Sequence, residues 1–341
     1  MENTGCIFQE KGIDFGTDDV CDCPITHNDG RGRPLLISDY HGGEIDWEKL
    51  FDIKEKRISE QKEKTICECK NCYHLDGYKF SGTRKISELN FSSSCNCNAK
   101  CVYCSSNHSD GGDNYDLYPI VSDLISKGYY ESGGEVTFQG GEPTLMFNFE
   151  KLLNLLIQQG SHAKIHTNGI ICSKSIIESL KTNTSNIVIS PDSGCAKTYK
   201  KIKQVDCFDK VCNSIKEYTF SNTDNVLIKY LIVPGYNDNI REIDMFFSLM
   251  NELNVKNVAL EIEVQYARKY ENKRLSKHIF ILVDYFIKTA ELYNMKLTIY
   301  SFLSYVLKNR PDNIPRIKSE WAAKFNMFLN KNVFKNIKYN R

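Results

Sequence analysis

The stretch SSCNCNAKCVYCSSN places Cys97, Cys101 and Cys104 in a C-x-x-x-C-x-x-C spacing. Three thiolates on one short loop can hold three irons of a [4Fe–4S] cube and leave the fourth iron open to another ligand. Zinc sites generally take four protein ligands from CxxC pairs, which this spacing does not supply. Tyr103, between the last two cysteines, sets an aromatic ring beside such a site. Cys95 lies two residues too early for the triad.

The rest of the composition narrows the chemistry. The chain has 341 residues, 14 cysteines and a formal net charge of +1. A near-neutral balance gives no bulk field for nucleic acid or an anionic membrane. The N-terminus has no basic region followed by an apolar run, and no stretch reaches the roughly 20 apolar residues of a membrane span. A cytoplasmic location is therefore expected, where closely spaced thiols serve metals more often than disulfides.

Strand and helix signals show what must position the triad. Residues 1–80 are rich in Gly, Asp, Lys and Cys, and DWEKLFDIKEKRISEQKEK is the one convincing helix there. We expect a small Cys-rich module over 1–80, an α/β barrel over 81–300 and a helical, basic and aromatic extension over 301–341. In the middle region ISELNFS, GEVTFQGGEP, AKIHTNG, NIVISPDSG, NVLIKYLIVPG and NVALEIEV read as six strands, each followed by a helix. That is a partial, TIM-like (β/α)6 barrel. Polar residues recur at period two along its strands: His166 and Asn168, Ser190 and Asp192, Lys229, and Glu261 with Glu263. Parallel strands covered by helices are apolar on both faces, so this alternation points to one face lining a wet or ligand-filled lumen. Strand ends are also where a β/α barrel gathers its active site.

With these motifs in order, the sequence resembles the radical S-adenosylmethionine (radical SAM) superfamily over roughly residues 85–300. The triad follows the first strand, and GGEP (Gly140, Gly141, Glu142, Pro143) ends the second. The resemblance implies a [4Fe–4S] cluster with S-adenosylmethionine, Glu142 of the glycine turn at the methionine amino group, and Ser190 and Asp192 near the ribose. His166 and Asn168 are expected at the cofactor, and Val233 to Gly235 beside the adenine. Pro191 replaces the apolar residue usual between the ribose contacts. A reduced cluster then donates an electron to the sulfonium, and a flavodoxin or ferredoxin is the expected electron donor.

The remaining cysteines suggest a second metal site. CKNC together with DYHGGEIDWEKLF resembles a little-characterised radical SAM subgroup with extra cysteines before the barrel. Cys69 and Cys72, with Cys21 and Cys23, are the expected ligands of an auxiliary [4Fe–4S] cluster; the alternative is a zinc knot on the same four thiols. Cys6, Cys67 and Cys95 stay unassigned. Cys195 follows SPDSG, where a thiol can return a hydrogen atom to a substrate radical; core packing is the plainer reading. Lys229, Glu261 and Glu263 are candidate catalytic or substrate groups and suit a polar small molecule, such as a sugar or nucleotide sugar, undergoing oxidation, epimerisation or rearrangement. A peptide-modifying enzyme is the runner-up. An RNA-modifying enzyme would rest on the basic tail alone, and a scaffold without catalysis would leave the triad and GGEP unexplained.

Overall fold

Alternating apolar and polar residues with intervening amphipathic runs build ten strands and nine helices among the described residues. The computed structural model describes residues 5–23, 35–63, 78–104, 115–263, 266, 277–300 and 303. Cys67, Cys69, Cys72 and the tail from Val306 onward lie outside the described residues. The chain divides into two compact units, the first Met1–Cys97, Ser106–Thr167 and Thr184–Asn186, the second Asn98–Ser105, Asn168–Asn183 and Ile187–Arg341.

In the first unit, α1 (Ile7–Lys11), β1 (Gly12–Phe15), β2 (Asp19–Cys21), β3 (Leu35–Ser38) and α2 (Trp47–Lys62) come before the barrel-type strands. These are β4 (Ile86–Phe91), β5 (Tyr130–Phe138) and β6 (His162–Thr167), with α3 (Leu117–Ser126) and α4 (Phe149–Gln158) between them. The strand order is β3-β2-β1-β4-β5-β6. β1 pairs parallel with β4, whereas the β1–β2 and β2–β3 ladders are antiparallel. The N-terminal segment thus extends the sheet. The sequence conceals this because GIDF, DVC and LLIS are too short to show a period.

In β4, β5 and β6 the register sets Leu89 beside Val136 and Ala163, and Phe91 beside Phe138 and Ile165, all buried. Phe138 meets Phe149 of α4 edge-on at 5.2 Å, so this is the helix-covered face. α4 adds Leu152, Leu153 and Leu156 to the same core, each contributing about 1.5–3 kcal/mol by burial. The opposite face carries Asp14, Asn90, Thr137 and Lys164 in one row.

A second polar row on that face joins Glu88, Glu135 and His162. Burial, then the neighbouring Glu135 carboxylate, push the Glu88 carboxyl up to about 7. A raised carboxyl holds its proton in the folded chain, so stability is greatest below the unfolded value near 4.5 and falls as pH rises towards 7. Glu88→Gln is expected to flatten this loss and to add about 1–2 kcal/mol above pH 7, after screening at a half-buried site. Urea unfolding of both proteins between pH 5 and pH 8 measures the difference, and parallel curves would refute it.

The charged N-terminal segment has its own internal staple. Lys54 of α2 is buried, and its Nζ donates to Asp22 Oδ1 (2.9 Å), Gly12 O (2.7 Å) and Phe8 O (3.2 Å). Glu10 accepts from the Tyr78 hydroxyl, from the Ser81 amide and hydroxyl, and from the Gly82 amide.

The second unit holds α5 (Lys174–Lys181), α6 (Ala196–Lys203), α7 (Phe208–Asn222), α8 (Ile240–Glu252) and α9 (Lys277–Leu292). Its strands are β7 (Ser185–Ile189, the first two residues counted with the first unit), β8 (Val226–Ile232), β9 (Asn257–Ile262) and β10 (Lys296–Ile299). They pair parallel in the order β7-β8-β9-β10. Tyr230 of β8 packs on Phe246 of α8 and Phe286 of α9, which identifies the helix-covered face. Strands β3 and β10 are unclosed ends, so the expected partial barrel is an open sheet. No helix among the described residues is long and apolar enough to cross a membrane.

Candidate active site

In the first unit the glycine turn after β5 lies directly against the segment that enters the cysteine triad. Gly141 N donates to Ser94 O and Glu142 N to Asn96 O, both at 2.7 Å. A Cβ on Gly141 would sit 2.2 Å from Asn96 O, and Gly140 has φ +102°. Both positions therefore demand glycine, one by space and one by backbone conformation. Glu142 is buried, and its Oε1 accepts from Thr144 N (3.2 Å), Thr144 Oγ1 (2.7 Å) and Thr167 Oγ1 (2.7 Å). Pro143 opens the short 3-10 turn Pro143–Leu145. Cys95 and Cys97 are half-buried, as is His166 near the end of β6.

The same unit contains a polar network that the motif reading missed. Gln139 Nε2 donates to Asn90 Oδ1 at 3.0 Å, while Asn90 Nδ2 and Ser92 Oγ both donate to Asp14 Oδ1. Asn90 and Gln139 adjoin the quoted motifs and were legible as polar positions. Asp14 was not, because its strand went unrecognised.

In the second unit the cysteine loop is tied to the end of α6. Lys100 N donates to Lys203 O and Val102 N to Ile202 O, both at 2.9 Å, so two otherwise orphaned helix carbonyls find partners. Side chains repeat the attachment. The Tyr103 hydroxyl donates to Asp192 Oδ2 at 2.6 Å, and Lys203 Nζ donates to the same oxygen at 2.5 Å and to Tyr103 Oη at 2.6 Å. Lys203 Nζ also stands 5.0 Å from the centre of the Tyr103 ring. Asp192 and Lys203 are 0% and 2% exposed, so the pair survives only because each meets the other's charge. Burial raises the Tyr103 hydroxyl well above its ordinary value, with the Asp192 charge adding to the shift. Burial also pushes the Cys101 thiol up, against the lowering influence of Lys203.

Asp192 was expected near a ribose; both its oxygens are engaged inside the protein. Oδ1 accepts from Leu231 N at 2.9 Å, and the residue takes a left-handed φ of 57°. Asn237 fixes this corner with its fully buried amide, donating to Asp192 O and Leu231 O while accepting from Val233 N. Val233 packs with Ile202, Leu231 and Tyr103, and Gly235 has φ +86° with open space around it. Ser190, just past β7, is half-buried. Asn168 Nδ2 donates to Asn98 Oδ1 at 2.7 Å, which ties the β6 exit to the residue after Cys97. Cys195 is half-buried at the start of α6, with Sγ 3.9 Å from Ser193 Oγ.

Lys229, Ala259 and Thr298 form one row on the face opposite the helices, and Glu261 stands two residues beyond Ala259. Glu261 is buried; its Oε1 accepts from Ile262 N and Leu303 N. Glu263 Oε2 accepts from Tyr266 N at 2.6 Å.

Among the described residues no three His, Cys, Asp or Glu side chains are already gathered as a metal site. The donor chemistry of the triad fits a cluster: Cys97 and Cys101 are half-buried and Cys104 is exposed. Cys21 is buried in β2 with Sγ 3.6 Å from Asp19 Oδ1, and Cys23 is half-buried. Asp22 between them is committed to Lys54, so part of the stapling expected of a metal comes from an ion pair.

Residues 91–248 match the family model of the Radical SAM superfamily. The GTP 3′,8-cyclase of Clostridium botulinum (strain Hall) is 28% identical over 171 residues, covering 49% of this chain and 53% of that protein. A probable GTP 3′,8-cyclase of Archaeoglobus fulgidus is 27% identical over 183 residues, covering 53% and 60%. The chain thus spans between half and two thirds of the length of these curated relatives. The structure of Streptococcus suis SuiB bound to precursor peptide SuiA has a TM-score of 0.52 at 16% identity, covering 88% of this chain and 62% of SuiB. That likeness is one of fold.

Proposed function

We propose that this chain, whose residues 91–248 match the family model of the Radical SAM superfamily, is a radical SAM enzyme in which Cys97, Cys101 and Cys104 hold a [4Fe–4S] cluster for reductive cleavage of S-adenosylmethionine. When bound, these cofactors supply a radical that removes hydrogen from an unactivated carbon, and the protein's part is orientation and shielding. The observation that carries the reading is the glycine turn bonded, through Gly141 N and Glu142 N, to the segment that enters the triad. Backbone so placed holds the cluster loop and presents Glu142 to the cofactor's amino group. Ser190, Asn168 and His166 are proposed to complete the polar contacts, with Val233 and Gly235 flanking the adenine. Tyr103 is the aromatic neighbour of the cluster.

The substrate is proposed to be a polar small molecule, for which Lys229 and Glu263 are the binding or proton-accepting groups and Cys195 the hydrogen donor if the outcome is epimerisation. The GTP 3′,8-cyclase relatives act in name on a nucleotide, which supports a small polar substrate over the alternative, a peptide. A second [4Fe–4S] cluster or a zinc ion on Cys21, Cys23, Cys69 and Cys72, and a flavodoxin or ferredoxin donor, complete the proposal.

Anaerobically reconstituted protein reduced with dithionite is expected to convert S-adenosylmethionine to 5′-deoxyadenosine and methionine, read by liquid chromatography. Failure to form 5′-deoxyadenosine with a full iron complement would remove the enzymatic reading. Substrate outcomes separate by mass: dehydrogenation removes two hydrogens, and epimerisation in heavy water leaves one solvent deuteron on carbon.

A further inference from the structure

Helix α6, AKTYKKIK, holds four lysines and no Asp or Glu. Every other α-helix among the described residues holds at least one acid. Lys203 pairs with Asp192, and the exposed Lys200 meets Asp206 at 2.8 Å. Lys197 and Lys201 are exposed and meet no carboxylate among the described residues. Elsewhere Lys181 of α5 and Lys288 of α9 each find an acid within about one turn, Glu178 and Asp284. The helix macrodipole favours lysines in the last turn of α6, but it disfavours Lys197 in the first. Lys197 and Lys201 also have the i,i+4 spacing at which like charges weaken a helix. Helix stability therefore does not explain the stripe.

The stripe lies beside the cysteine triad. Lys100 N and Val102 N donate to the carbonyls of Lys203 and Ile202, the last two residues of α6, both at 2.9 Å. Lys100 is itself exposed and meets no carboxylate among the described residues. Val102 is 40% exposed, and Cys104 is exposed as well. An apolar side chain and an exposed thiol of the triad thus adjoin three lysines without counter-charge. A nucleic-acid backbone would engage the lysines alone, whereas a protein interface combines an apolar centre with a polar rim. Electron-transfer encounters are the small, weak class of such interfaces, below about 1,200 Å².

We propose that Lys100, Lys197 and Lys201, together with Val102, form the docking surface for an acidic one-electron carrier protein, a flavodoxin or a ferredoxin. The lysines steer the acidic partner, and Val102 is covered in the encounter. With a flavodoxin, one electron leaves the anionic flavin hydroquinone, which becomes the neutral semiquinone, and enters the oxidised cluster. With a ferredoxin, the electron leaves its reduced iron–sulfur centre. The destination of the electron rests on the radical SAM reading; the docking itself does not.

The test is isothermal titration calorimetry of the reconstituted holoenzyme with purified acidic flavodoxin, ferredoxin or tRNA, at low and high salt. One carrier is expected to bind, less tightly as salt rises. Its affinity is expected to fall about tenfold in a Lys100→Glu, Lys197→Glu, Lys201→Glu triple variant. Lys216→Glu, which reverses an exposed lysine of α7, should bind like the unaltered protein. Formation of 5′-deoxyadenosine driven by that carrier should fall in step in the triple variant, while formation driven by dithionite is retained. Should the triple variant fail to fold, Lys197→Glu alone, whose acid suits a helix N-terminus, is expected to weaken binding about threefold. Equal affinity of the unaltered and charge-reversed proteins for the carrier would overturn the surface, as would binding of tRNA with neither carrier bound. Calorimetry requires no turnover, so its failure is distinct from a failure to form 5′-deoxyadenosine with dithionite.

Discussion

Changing Cys97, Cys101 and Cys104 together to Ala is expected to remove about four irons per chain and to abolish 5′-deoxyadenosine formation. The spacing gives three ligands to one cube, and Cys95, on the same loop, lies two residues too early to be one of them. The residual metal is equally informative. About four remaining irons assign the N-terminal cysteines to an auxiliary cluster, whereas zinc with no remaining iron assigns them to a knot. Iron retained in full by the triple variant would refute the assignment of the triad.

Lys203→Met is the second large effect. It leaves the Asp192 carboxylate, 0% exposed, without its cation. Removing one partner of a buried pair costs about 3–5 kcal/mol, because the other charge stays stranded. The same substitution takes from Tyr103 both a hydrogen bond and a cation over its ring, so the side-chain attachment of the cysteine loop weakens. We expect a lowered midpoint in thermal unfolding and a broadened electron paramagnetic resonance signal from the reduced cluster. Lys203→Arg should restore part of both. In a Lys203→Met, Asp192→Asn double variant stability should partly recover, because no charge is left buried and the amide oxygen still accepts from Leu231 N, while the signal stays broadened. If the signal is unaltered throughout, the pair stabilises the fold without positioning the loop.

The sequence carries some parts of the fold and the site more openly than others. Strands β4 to β9 were legible because each runs five residues or more with an apolar face, and polar residues such as Asn90, Thr137, Lys164, Lys229 and Glu261 recur on the other. Strands β1 to β3 have three or four residues each, too few to display a period, so Asp14 and its bonds to Asn90 and Ser92 were hidden. Lys203 was hidden differently. In AKTYKKIK it is one lysine among four and reads as part of a solvated helix face, yet the turn of α6 buries it beside Asp192. Asp192 itself was legible as a site residue, but its partners come from sequence positions 11 and 89 residues away, and no local spacing encodes them.

The most direct test of the central claim is electron paramagnetic resonance of the dithionite-reduced protein before and after S-adenosylmethionine is added. A cluster held by three cysteines keeps one iron open, so a changed signal is expected on addition, with loss of that responsive signal in the Cys97, Cys101 and Cys104 triple variant. An identical signal with and without S-adenosylmethionine, in protein carrying its full iron, would contradict it.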